Sequence, residues 1–204
     1  MEADQPLRIL IVEDLSSDAE LAERELRKEG ISFTSVRVET KDAFLKALED
    51  FRPDLIISDF ALPKFDGMQA LKLSLEYDPL LPFIVLTGSM NEDIAVACMR
   101  AGATDYVIKE HVTRLPFTVR EALEQKKERL IKEESERALR ESGERYRTLF
   151  EESVDSICLA EAETGMIIDC NQALEVLVGR KREDLIGQPQ TILYTPHDDK
   201  EIFS

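Results

Sequence analysis

Leu55-Ile56-Ile57-Ser58-Asp59-Phe60-Ala61-Leu62-Pro63-Lys64-Phe65-Asp66-Gly67 decides how this chain is read. Pro53 breaks what precedes it, and Leu55 to Ile57 form an apolar run too short for a helix and rich in β-branched residues. The run stops at Ser58 and Asp59, and an irregular connection follows as far as Gly67. It therefore reads as a buried strand ending on an acid. In open α/β sheets, chemistry gathers at the carboxyl ends of the strands. One acid there proves nothing, so the reading depends on what other strands bring to the same edge.

Working outward, the pattern repeats. Arg8 to Val12 is an apolar run ending in Glu13 and Asp14. Ser16, Ser17 and Asp18 then offer caps for a helix from about Ala19 to Glu29, closed by Gly30. Phe33, Ser35 and Val36 to Val38 make a second strand, and Thr40 caps a helix carrying Ala43, Phe44, Ala47, Leu48 and Phe51. After the Asp59 strand, Met68, Leu71 and Leu75 belong to a third helix, stopped by Asp78 and Pro79. Phe83 to Leu86 is a fourth strand ending on Thr87, Asn91 caps a helix through Met99, and Gly102 lies behind it. Tyr106 to Ile108 is a fifth strand, ending on Lys109.

Strands alternating with helices imply βαβ crossovers, hence an α/β fold with a doubly wound five-stranded parallel sheet covered on both faces. Glu13, Asp14, Asp59, Thr87 and Lys109 then share one edge. Two carboxylates about 4 Å apart repel by roughly 4 kcal/mol at an effective dielectric near 20. Three of them call for a cation, and a hard, oxygen-seeking divalent ion such as Mg²⁺ suits them.

These residues resemble the receiver domain of two-component response regulators over about Leu7 to Leu123. The resemblance implies a flavodoxin-like sheet of order 2-1-3-4-5. It implies that Asp59 accepts a phosphoryl group from a sensor histidine kinase, a phosphotransfer protein or a small phosphodonor. Asp14 would bind Mg²⁺ directly, Glu13 largely through water, and the backbone carbonyl of Ala61 would add a ligand beside Asp59. Thr87 and Lys109 would complete the catalytic set, and Thr87 with Tyr106 would form the switch. That switch would bias the face of the fourth helix, fifth strand and fifth helix, where a partner or second copy docks. Glu110 departs from the pattern, standing where the family most often has a proline, usually after a cis peptide. The loop from Glu110 to Leu115 is therefore expected to take another path, with His111 a plain loop residue. The side chains of Ala61 and Ser89 are expected to tune hydrolysis.

From Arg120 to Arg145 eight acids offset eight bases, a helix of mixed charge. Glu128 with Lys132, Glu133 with Arg137, Glu136 with Arg140 and Glu141 with Arg145 have the favourable order for ion pairs. A solvated helix and a short coiled coil joining two chains both fit it. Beyond Gly143, the stretch from Tyr146 to Gly187 resembles the start of a PAS domain, with a lead helix, a hairpin at Thr164 and Gly165, and helices after an Asn171 cap. The expected division is thus 1–123 receiver, 124–143 helical linker and 144–204 a truncated, partial α+β PAS segment that binds no haem or flavin.

Composition sets the outer bounds. Net charge −16 argues against nucleic acid and anionic membrane as partners, since a phosphate backbone needs a basic footprint. Met1 to Pro6 carries no signal-peptide core, which leads us to expect a cytoplasmic chain. Cys98, Cys158 and Cys170 are spaced for neither disulfides nor zinc and read as buried small hydrophobes. No kinase core is visible, so the chain reads as a signalling protein rather than an enzyme. Two alternatives stand beside that reading. A haloacid dehalogenase-type phosphatase uses a similar set but places an acid two residues after its aspartate, where this chain has Ala61. A non-phosphorylated dimerisation scaffold would not need all five site residues.

Overall fold

A computed structural model describes residues 6–63, 65–88 and 92–193, with side chains undescribed at 92–95. The chain divides into two compact units, 1–132 and 133–204. In the first, β1 (Leu7–Val12), β2 (Phe33–Val38), β3 (Leu55–Asp59), β4 (Phe83–Thr87) and β5 (Asp105–Ile108) form one parallel sheet of order β2-β1-β3-β4-β5. The helices are α1 (Ser16–Lys28), α2 (Lys41–Asp50), α3 (Gly67–Tyr77), α4 (Glu92–Arg100) and the start of α5 (Leu115–Glu151).

Alternation along the strands builds two cores. Leu10, Val12, Ile56, Phe83 and Val85 face Phe44, Leu48, Ala70, Leu71 and Cys98, so α2, α3 and α4 cover that side. Ile9, Ile11, Leu55, Ile57, Ile84, Leu86 and Val107 face Ala19, Ala22, Leu26, Leu115 and Val119 from α1 and α5. Every residue of β3 and β4 is buried, which is why these strands read as continuous apolar runs rather than alternating ones.

Local chemistry sets the helix starts. Thr40 Oγ1 accepts from the Ala43 N–H at 3.3 Å, the cap expected for α2. Asp66 caps α3, its carboxylate accepting from Gln69 N at 2.8 Å and from Gln69 Nε2 at 3.0 Å. The expected start of α1 needs correction. It begins at Ser16 with Leu15 as N-cap and no side-chain cap bond, so Ser16, Ser17 and Asp18 form its first turn instead of preceding it. The Asn91 cap lies outside the described residues. After β5, Lys109 to Arg114 form a 3-10 turn in which His111 takes a non-helical conformation. The described peptide bonds are all trans, and this turn leads directly into α5 at Leu115.

The helix from Leu115 runs unbroken to Glu151 through Gly143, so the expected linker and lead helix are one element. Arg137 and Arg140 pair forward, with Glu141 at 3.8 Å and Glu144 at 3.0 Å, in the order opposite to that read from the sequence. Leu130, Ile131 and Leu139 on this helix are exposed.

The second unit holds the end of α5, a hairpin of β6 (Cys158–Ala160) and β7 (Ile167–Cys170), α6 (Gln172–Val178) and α7 (Arg182–Leu185). Gly165, at φ +69°, makes the expected turn. Buried Asn171 ties these pieces together. Its Oδ1 accepts from Ile157 N at 2.9 Å and Leu174 N at 3.1 Å, while its Nδ2 donates to the carbonyls of Phe150 and Asp155. The hairpin packs a small core of Ile167, Cys170, Leu174 and Leu185. No described helix is long and apolar enough to cross a membrane.

Gly67 fixes the loop that follows β3. Its N–H donates to the Phe60 carbonyl at 3.1 Å, and a Cβ there would lie 2.7 Å from the Asp59 carbonyl oxygen and 2.9 Å from the Phe60 Cα. Backbone cannot move aside as a flexible side chain can. Gly67→Ala is expected to destabilise the first unit by roughly 1–3 kcal/mol, read as a lowered urea midpoint; an unchanged midpoint would mean the loop shifts freely.

Candidate phosphoacceptor site

The parallel register delivers the polar residues to one edge. Val12 pairs with Ser58 and Asp59 with Leu86, so the acids after β1 and the acid ending β3 stand side by side. Thr87 pairs with Ile108, which puts Thr87 at the end of β4 beside the residue preceding Lys109. Glu13 and Asp59 are almost fully buried, Asp14 is half-buried, and Thr87 is buried. Carboxylate oxygens of Glu13, Asp14 and Asp59 all lie within 4.8 Å of one another.

The Lys109 ammonium gathers the acids. Nζ donates to Asp59 Oδ2 at 2.8 Å, Glu13 Oε2 at 2.8 Å and Asp18 Oδ2 at 2.6 Å, using all three of its N–H groups. The second oxygens are also met. Asp59 Oδ1 accepts from the Ala61 N–H at 3.1 Å, and Glu13 Oε1 from the Leu15 N–H at 3.2 Å. Ser58, buried beside Asp59, donates its hydroxyl to the Asp59 carbonyl at 2.9 Å. Arg37, on β2, donates Nη1 to the backbone carbonyls of Glu13 at 2.8 Å and Asp14 at 3.1 Å. The guanidinium thus holds the backbone of the acidic pair while leaving the carboxylates to other partners.

Electrostatics follows from that crowding. Burial pushes the Glu13 carboxyl above its usual range, against the opposing pull of the Lys109 ammonium and the Leu15 N–H. Burial alone would favour neutral Lys109, but its bonds to Asp18, Asp59 and Glu13 outweigh that cost and raise its pKa. The lysine is therefore a permanent cation.

Of the residues singled out in the sequence, Glu13, Asp14, Asp59 and Lys109 converge. Thr87 stands at the same edge. Ala61 contributes its N–H to Asp59 and is exposed. Tyr106 is half-buried on β5 and packs against the core on the α2, α3 and α4 side. His111 is exposed, as expected of a loop residue. Ser89 lies outside the described residues. Asp18 and Arg37 went unnoticed. Asp18 was hidden by its reading as a cap, and its one signal is an acid a single turn past the strand-end pair. Arg37 shows only as a charge interrupting an apolar strand.

The donor set fits a hard divalent cation, since it offers three carboxylates and no sulfur or nitrogen ligand. The response regulator receiver domain model matches residues 9–119, and the PAS fold model matches residues 144–204. The DNA-binding transcriptional regulator NtrC of Proteus hauseri is 35% identical over 115 residues, 56% of this chain and 23% of that protein. The chain thus spans about a quarter of the length of that curated relative. The crystal structure of NtrX from Brucella abortus aligns at TM-score 0.56 and 30% identity, over 63% of this chain and 29% of that one. A response regulator receiver domain protein from Clostridium thermocellum aligns at TM-score 0.53 and 26% identity, over 59% of this chain and 97% of that one. With its acids, threonine and lysine at the carboxyl edge of a 2-1-3-4-5 sheet, and with the family model spanning more than half of its length, this chain belongs to the response regulator receiver domain family and continues into a PAS fold.

Proposed function

We propose that Asp59 is the phosphoacceptor of this receiver and that Mg²⁺ is required for the transfer. The observation that carries the reading is the joint placement of Asp59, Glu13 and Asp14 within 4.8 Å with the Lys109 ammonium 2.8 Å from Asp59. Glu13, Asp14, Asp59 and the Ala61 carbonyl would hold the cation, which when bound neutralises charge on the phosphoryl oxygens. A carboxylate oxygen of Asp59 attacks phosphorus. The bond from phosphorus to the donor breaks, and its electron pair leaves with the imidazole of a kinase histidine or with acetate. Lys109 meets the negative charge that accumulates on the transferred group. Thr87 donates its hydroxyl to a phosphoryl oxygen once that group has arrived. The loop after β4 follows Thr87, and Tyr106 turns into the space released. The face of α4, β5 and α5 is then biased toward a partner or a second copy, and the signal passes along α5 toward the PAS fold.

On this reading the natural divisions are a receiver over 1–123, a helical linker over 124–143 and a PAS segment over 144–204. The chain is a signalling phosphoprotein of the cytoplasm with a sensor histidine kinase or phosphotransfer protein as its donor. It homodimerises through the α4-β5-α5 face or the linker helix, binds no nucleic acid or membrane, and catalyses at most its own phosphorylation and dephosphorylation.

Incubation with acetyl phosphate and Mg²⁺ is expected to add one phosphoryl group, read by intact mass. Asp59→Asn and EDTA should each abolish the gain, and Lys109→Ala should slow it by roughly a hundredfold. Continuous phosphate release at high turnover would instead favour a phosphatase. Thr87→Ala is expected to accept phosphate on Asp59 yet lose any phosphorylation-dependent dimerisation, measured by light scattering.

The raised Glu13 pKa gives a pH test in metal-free buffer. An acid whose folded pKa lies above its unfolded value of about 4.5 stabilises the fold below that value, and the contribution is lost as pH rises through the folded pKa. Glu13→Gln, which keeps an oxygen facing Lys109, is therefore expected to melt higher than the native chain at pH 7 in EDTA. The gap should close below pH 4.5. The same variant should gain less stability from added Mg²⁺. A lower melting point at pH 7 would mean that ionised Glu13 stabilises the empty site.

A further inference from the structure

Lys109 donates to three acids, and two of them have other tasks. Glu13 and Asp59 belong with Asp14 to the cluster whose oxygens lie within 4.8 Å of one another; Asp18 does not. The bond from Lys109 to Asp18 is nevertheless the shortest of the three, at 2.6 Å, against 2.8 Å for each of the others. Asp18 Oδ1 meets the Ser17 hydroxyl at a long 3.4 Å, so among the described residues the lysine is its strong partner. With all three N–H groups of Nζ engaged, a phosphoryl oxygen can be met only if one acceptor is released.

The three acceptors differ in how they respond to a phosphoryl group on Asp59. As an acyl phosphate, Asp59 has lost its carboxylate charge, and its bond to the ammonium weakens from an ion pair to one with a neutral acceptor. Glu13 would face the divalent cation and share its charge. Asp18 is neither phosphorylated nor in the acidic cluster, and among the described residues Lys109 is the cation it pairs with. It is therefore the acid against which the phosphoryl oxygens compete for Lys109. The competition arises because α1 starts three residues earlier than its caps suggest, which brings Asp18 onto the first turn above the sheet edge.

We infer that Asp18 is a positioning residue, which holds the Lys109 ammonium in the unphosphorylated site and opposes its transfer to a phosphoryl group on Asp59. This rests on the phosphoacceptor reading of Asp59. Asp18 stabilises the unphosphorylated state, and its removal favours the phosphorylated one. An aspartate here thus makes the receiver harder to charge than one with a neutral residue at the same place.

The test is calorimetric titration of the full chain with beryllofluoride, a phosphoryl mimic, in Mg²⁺. Asp18→Asn and Asp18→Ala are expected to bind it about three- to tenfold more tightly than the native chain, the scale of one charge-assisted hydrogen bond set against a neutral one. Asp18→Glu should return toward native affinity. Neutralising the exposed Glu20 on the same helix, as Glu20→Gln, should change little. Titration with Mg²⁺ alone should be nearly unchanged by Asp18→Asn, since Asp18 stands outside the acidic cluster. Equal or weaker beryllofluoride binding by the Asp18 variants would overturn the inference, as would a matching gain in Glu20→Gln or a clear loss of Mg²⁺ affinity. A native chain that does not bind beryllofluoride, or an Asp59→Asn variant that binds it equally well, would overturn the reading of Asp59 itself and this inference with it.

Discussion

The Lys109 ammonium and the acids around it are the interaction on which the carboxyl edge depends. Glu13 and Asp59 are buried almost completely, and buried carboxylates crowded together would lose their charge or push apart. A lysine reaching across from the end of β5 to residues of β3 and of the turn after β1 keeps them together. This contact joins positions 96 and 50 residues apart in sequence, so it exists only when the sheet order brings three strand ends into line. The two raised pKa values report unequal outcomes of one crowding: the acids more than repay the burial of the Lys109 charge, whereas the burial of Glu13 costs its carboxylate more than Lys109 returns. A site assembled this way is held under electrostatic tension that a metal or a phosphoryl group can redistribute.

The rest of the first unit positions that tension. Two apolar cores clamp the sheet from both faces, so the strand ends have little freedom to spread. Asp59 leads into a loop bound by backbone hydrogen bonds from Phe60 to Leu86 and from Gly67 to Phe60. Gly67 is the place where that loop passes too close to β3 for a side chain. Arg37 reaches in from the edge strand to hold the backbone of Glu13 and Asp14. The site is thus built from strand ends held between two packed faces.

The second unit follows a different logic. Its core is small, and a single buried asparagine with all four hydrogen bonds satisfied joins helix end, hairpin and following helix. The helix that leads from the receiver into it is continuous and highly charged along its middle, where Leu130, Ile131 and Leu139 are exposed.

Much of this was determined by the sequence alone. The apolar runs ending in Asp59, Thr87 and Lys109 announced a buried parallel sheet, because only strands covered on both faces stay apolar at every position. The helix caps at Thr40 and Asn171 and the hairpin turn at Gly165 were legible too, since each is a local matter of one side chain or one dihedral angle. What only the tertiary structure decided were the partners of charges. Asp18 resembled a cap until the fold put it 2.6 Å from a lysine 91 residues away. The pairing along α5 ran forward from Arg137 and Arg140, where spacing alone had favoured the reverse. The helix also ran through Gly143 without a break. Hydrophobic period and capping are properties of neighbouring residues, so a sequence displays them. The choice among several acids for one ammonium depends on distances that exist only after the chain has folded.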